Sequence, residues 1–208
     1  MKGLLLKEWY MMKVYCRYYL VCGIIFTVLS LISSENMFFI FYPCILCGMI
    51  PINLLSYDER SRWLQYSAVL PYTRSQLVSA KYLVGLISQF CVLVVMGIAQ
   101  GIKMAVEGEF MTDSFMVMLL LVLIIAAISS AIPLPFCFKP GVEKGRIAYY
   151  VMIGFVCTAS IAATHFFREQ MQQEIRPNVL LIVLAVLGVC AYALSWYFSI
   201  RFFEKREL

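Results

Sequence analysis

The stretch SFMVMLLLVLIIAAISSAIPLPFCF, Ser114 to Phe138, runs 25 residues without an acidic or basic side chain. About 20 apolar residues in a helix cross the hydrocarbon layer of a bilayer, so this stretch is long enough to span it. Its apolarity is continuous rather than alternating, which excludes a barrel strand, and a helix satisfies every backbone polar group within itself. Working outward, stretches nearly free of charge recur at Val14–Ser34, Met37–Ser56, Tyr82–Ile102, Ile147–Thr164 and Asn178–Ile200. The expected fold class is therefore all-α, a polytopic membrane protein with six transmembrane helices, the fifth being the shortest. Composition agrees: 62% of the 208 residues are hydrophobic and 14% charged, against roughly 45–50% and 25% in soluble domains. Six crossings leave no room for a separate soluble catalytic domain.

Six spans put both termini on one side, and the basic residues choose the side. Fourteen, from Lys2 and Lys7 through Arg60, Arg62, Lys144 and Arg146 to Arg206, fall on the terminal side, against Lys103, Arg168 and Arg176 opposite. The positive-inside rule makes the terminal side cytoplasmic. The net charge of +5 then reads as topology, and nucleic acid is not an expected partner. Met1 to Tyr10 has no small-residue cleavage site and runs into a full-length span, so no secretory peptide is read there.

The residue inventory excludes several functions. His165 is the only histidine, neither H-E-x-x-H nor G-x-S-x-G occurs, and no P-loop is present, so the chain is not expected to be an enzyme or to hold ATP itself. No Asp, Glu, Lys or Arg sits near a span centre, which argues against ion-coupled transport. Cys44 and Cys47 form a C-x-x-C within a span, where a thiolate is very costly. They read as small packing residues, and neither a disulfide framework nor a metal site is expected. Thr27, Ser30, Gln89, Gln100, Ser129 and Ser130 read as contacts between helices, and Gly97 and Gly101 as a close-approach pair.

The cytoplasmic segment from Tyr57 to Lys81 holds the densest polar pattern. Ser56 and Glu59 fit a capping box, which predicts a helix start there. Trp63, Tyr66 and Leu70 recur at helical spacing, with Asp58, Glu59, Arg60 and Arg62 in the first turns and Pro71 as the stop. The expectation is an amphipathic helix of about three turns along the membrane surface. It is either an anchor or a docking helix for a cytoplasmic partner, and the pattern alone leaves both open. Thr73 and Gln76 repeat the capping pattern and launch the third span. Residues 1–13 set Leu5, Leu6, Trp9 and Met12 against Lys2, Lys7 and Glu8, a second interfacial helix. A short cytoplasmic loop, Lys139 to Arg146, follows Pro133 and Pro135, where the fourth span should bend or stop. Phe166 and Phe167 beside His165 read either as an outer constriction or as an interface belt.

Four pieces in order resemble the permease subunits of small bacterial ABC-2 type exporters: Leu4-Leu5-Leu6-Lys7-Glu8, Asp58-Glu59 with Leu70-Pro71, Lys81-Tyr82, and Gly141-x-Glu143-Lys144-Gly145-Arg146. The resemblance covers the whole chain as a single transmembrane permease domain in a bacterial cell membrane. It implies two cytoplasmic ATP-binding subunits that bind ATP and Mg, and a second permease copy or paralogue. No cofactor is then held by this chain. It also implies that residues 57–71 form a coupling helix in which Tyr57, Asp58, Glu59, Arg60, Arg62, Trp63, Tyr66, Leu70 and Pro71 meet the ATPase, helped by Glu143, Lys144 and Arg146. Residues 1–13 would be the connecting helix, and 165–177 an extracellular re-entrant segment with an outer gate at His165, Phe166 and Phe167. Related small permeases export amphipathic peptides, which suits a path lined by Met, Phe, Tyr and Ser without buried charge. The alternatives are the substrate-binding membrane subunit of a vitamin-uptake ABC system and a peptide-sequestering sensor or immunity protein.

Overall fold

A computed structural model describes residues 2–32, 37–67, 69–107, 112–138, 141–154, 158 and 177–205. Among them the structure is helical, with no strand. The helices are α1 (Lys2–Tyr15), α2 (Arg17–Ile32), α3 (Met37–Gly48), α4 (Ile50–Arg60), α5 (Trp63–Ser67), α6 (Arg74–Glu107), α7 (Thr112–Ala131), α8 (Pro133–Phe138), α9 (142–154) and α10 (Pro177–Glu204).

Four continuous helical runs are long and apolar enough to cross a membrane: Phe39–Arg60, Arg74–Val106, Phe115–Phe138 and Val183–Glu204. The bent pair α1 and α2 makes a fifth candidate. Its two helices meet at 67°, so α1 can lie along the surface while α2 enters the bilayer. The break falls at Cys16, between the basic residues Lys13 and Arg17. The first expected span thus begins at Arg17 rather than Val14. Of the fifth expected span, Ile147–Thr164, helix is described over 142–154, and most of the remainder lies outside the described residues.

Prolines mark the joints. Pro51 sits in the first turn of α4, where a missing N–H costs nothing, and Pro43 lies inside α3. Pro133 and Pro135 open α8, so the fourth span breaks at Ile132 as expected. Thr73 caps α6: its hydroxyl accepts from the Gln76 N–H at 3.3 Å, and the Gln76 side chain accepts from the Thr73 N–H at 3.3 Å. This is the reciprocal pair that the spacing predicts. At 34 residues, α6 is about 50 Å long and overshoots the hydrocarbon layer. Gly97 and Gly101 bring it against Leu119 and Phe115 of α7.

The run through α3 and α4 is the most enclosed of the four and α10 the least. It packs on α2, α6 and α7, while α10 lies on α6, α7 and α8. The largest apolar cluster gathers where α1, the start of α6, α8 and the end of α10 meet: Leu4, Ile52, Leu55, Val78, Leu134, Phe138, Tyr149 and Phe203 are buried together. Tyr82 is fully buried beside them. Its hydroxyl meets Ser195 at 2.8 Å and Ser199 at 2.6 Å on α10, and its ring stacks on Trp196. Leu86, Phe90, Val94 and Ile98 of α6, and Val183, Val186 and Leu194 of α10, remain exposed, as lipid-facing or partner-facing positions should.

Candidate functional site

The four pieces of sequence that carry the family resemblance lie between 23 and 83 residues apart where they touch, yet their charged residues gather at one end of the bundle. Leu4, Glu8 and Met12 occupy one buried stripe of α1, since residues four apart share a helix face. Glu8 therefore points into the bundle, not outward as the amphipathic reading of residues 1–13 expected. Trp9 and Leu6, assigned there to the apolar face, are exposed, as residues of a surface helix that face lipid are.

Glu8 finds compensation in Lys81 of α6, whose ammonium lies 2.6 Å from its carboxylate; both side chains are almost wholly buried. Lys81 also reaches Asp58 of α4 at 2.5 Å, and Asp58 in turn takes Lys7 of α1 at 2.5 Å. Lys7 closes the ring on Glu8 at 3.2 Å. Two acids and two bases thus alternate around a closed, neutral knot that joins three helices. Neutrality is what makes burial tolerable, because an unpaired ion there would keep its whole desolvation cost. Two acids in the last turn of α4 oppose its helix dipole. The lysines offset that for Asp58, and Glu59 has a separate use.

The carboxylate of Glu59 accepts the N–H of Val142 at 3.2 Å, capping the first turn of α9 from a neighbouring helix. Gly141 before it has φ +103°, a conformation that side chains rarely adopt. One turn later Gly145 lies so close to α8 that an added Cβ would fall 2.1 Å from the sulfur of Cys137. Arg146 reaches back to α4, donating to Asn53 and Ser56 at 3.1 Å each. Gly141, Gly145 and Arg146 therefore seat α9 on α4 and α8, and Glu143 and Lys144 between them are exposed.

The capping box expected at Ser56 and Glu59 does not form. Ser56 lies inside α4, which began at Ile50 as the end of the second span, and its hydroxyl serves Arg146. The expected three-turn helix over 57–71 is instead the last turn of α4, a two-residue turn and the five-residue α5. The turn holds Arg62 at a positive φ of 55°, the left-handed conformation that breaks the helix. The longer run of α4 prevails because Asp58 and Glu59 gain their partners only if helix continues through them.

The twelve residues of the coupling set consequently divide. Asp58, Glu59 and Arg146 are spent inside the protein, and Tyr57 is half-buried, stacked on Tyr15 with ring centres 4.1 Å apart. Trp63 is half-buried beneath Lys7, whose ammonium sits 4.3 Å from the ring centre, and Leu70 is half-buried. Arg60, Arg62, Tyr66, Pro71, Glu143 and Lys144 are exposed and form the outward surface. His165, Phe166, Phe167 and nearly all of 165–177 lie outside the described residues. Lys7, Glu8 and Lys81 were missed as a bonded group. The available signal was Glu8 sharing a helical stripe with Leu4 and Met12, which no solvent-facing carboxylate should do.

A family described as ABC-2 family transporter protein matches residues 3–204. Nothing matches among curated proteins or among solved structures.

Proposed function

The chain belongs to the ABC-2 family of transporter proteins, as a multi-pass membrane permease subunit whose ATPase activity resides in a separate partner, and we infer that it exports amphipathic peptides or similar hydrophobic cargo. In this reading two permease copies, or this chain and a paralogue, stand side by side in a bacterial cell membrane with their termini in the cytoplasm. Two ATP-binding subunits, carrying ATP and Mg, dock beneath them. The path runs between the copies, lined mainly by the first, second and fifth spans and closed outside near His165, Phe166 and Phe167.

One observation carries the docking part: the last residue of α4, Arg60, the turn residue Arg62 and Tyr66 of α5 are exposed, directly after the helical turn locked by Asp58 to Lys7 and Lys81. A load applied there passes into a helix already fixed to α1 and α6. Exposed guanidinium groups beside a helix held by ion pairs suit a partner groove lined with carboxylates. The cargo class is supported by the interior, where the described mid-span polar groups are amides and hydroxyls, adequate for apolar or amphipathic molecules and poor hosts for an ion. Membership of this family favours the exporter reading over a vitamin-uptake subunit.

The test uses the permease reconstituted with its ATP-binding subunit. Arg60→Glu with Arg62→Glu, or Trp63→Ala, is expected to abolish peptide-stimulated ATP hydrolysis and export while insertion stays normal. Unchanged coupling in both variants would return α5 to the role of a surface anchor. Orientation is checked by cysteine labelling: position 143 should be reached only from the cytoplasm and position 109 only from outside.

A further inference from the structure

The angle between α1 and α2 leaves a groove along α6 that neither helix fills. Near the surface it is bordered by Lys2, Leu5 and Leu6 of α1 with Val84 of α6, and has a volume of about 430 Å³. Deeper, between α2 and α6, it continues for about 310 Å³ past Gly23, Thr27 and Cys91 to Val95. The two parts share Trp9, Met12 and Ile87, so they adjoin end to side along the same stretch of α6.

Its length and its charge identify an occupant. From Val84 to Val95 along α6 is about 16 Å, and one leaflet of the hydrocarbon layer is about 15 Å deep. The walls are almost entirely apolar. The cations stand at the cytoplasmic mouth: Lys2 is exposed, with no carboxylate partner among the described residues, and Lys13 sits 5.3 Å over the ring of Trp9. We propose that this groove holds one acyl chain of an anionic phospholipid from the cytoplasmic leaflet, its phosphate on Lys2 at the headgroup level.

Gly23 supplies a clean way to fill the groove, since an added Cβ there meets no atom within 4 Å. The full chain is reconstituted in vesicles containing a minor fraction of phosphatidylglycerol or phosphatidylcholine with brominated acyl chains. Quenching of Trp9 is isolated by subtracting the signal of Trp9→Phe. At equal low fractions the phosphatidylglycerol should quench about fivefold more effectively, the preference that one ammonium gives at an anionic surface. Lys2→Gln should erase the preference by removing the charge, and Gly23→Leu should erase it by occupying the chain site. Equal quenching by the two lipids would overturn the proposal, as would a preference that survives Gly23→Leu, which would mean headgroup attraction without a bound chain. Trp9 shielded from both lipids would also overturn it, because a second copy of the chain would then cover the groove.

Discussion

Around the start of α6, helices α1, α4 and α6 meet through four ionised side chains, whereas about 12 Å further along α6 the helices meet through an amide. There Gln89 donates to the Cys44 carbonyl and to Ser129 at 3.0 Å, and to Ser130 at 3.4 Å, while its own carbonyl oxygen, although buried, has no partner among the described residues. Nearer the opposite face Gln100 makes a similar contact with Ser30 at 3.1 Å. The two regions differ in how many arrangements they permit. An ion in the knot has one set of acceptable partners, and losing them leaves a bare charge. A membrane amide or hydroxyl trades one weak bond for another at a cost of about 0.6 kcal/mol. The end that carries the knot is therefore fixed in register, and the middle of the bundle is free to re-pair.

The comparison breaks most visibly at Asp58. Replacing it with Ala leaves Lys7 and Lys81 facing only Glu8, and should cost about 3–5 kcal/mol, read as loss of folded protein in membranes and a large drop in thermal stability. Lys81→Met should be nearly as damaging alone, and less so when combined with Glu8→Leu, since the pair leaves together; a double variant no better than the single would refute the closed knot. Next in size is Gly145→Ala, which drives a methyl into Cys137 and should lose about 1–3 kcal/mol by overpacking. Cys137→Ala in the same chain should restore part of it, because the sulfur is the nearest obstacle. Trp63→Ala removes the ring under Lys7 and should change stability by only about 0.5–1 kcal/mol, although its effect on coupling is expected to be complete. The smallest effect belongs to the middle region. Gln89→Leu gives up three bonds but also removes an orphaned acceptor, so thermal stability should move by less than about 1 kcal/mol in either direction. A collapse on that substitution would show that the middle is as specified as the end.

The sequence shows the spans directly, because a run such as Ser114 to Phe138 has only one environment that suits it. Thr73 and Gln76 were equally legible, as a cap depends on residues three apart. Ser56 and Glu59 show the same local pattern and mislead, since their partners Arg146 and Val142 lie more than eighty positions away. Local rules lose where a distant charge offers a stronger contact. Glu8 and Lys81 were hidden for the same reason: each looks like an ordinary boundary residue until the other is placed beside it. The groove beside Gly23 had no sequence signature, because it depends on the angle at Cys16.

The 73 positions between Glu8 and Lys81 also impose an order of events on a nascent chain. The helix bearing Lys7 and Glu8 is made first, but its final seat does not exist until the start of α6 has left the ribosome. Until then the segment waits at the headgroups with its carboxylate hydrated. A chain truncated before Arg74 should accordingly leave α1 open to an added protease, and extending it past Lys81 should close that access in a single step.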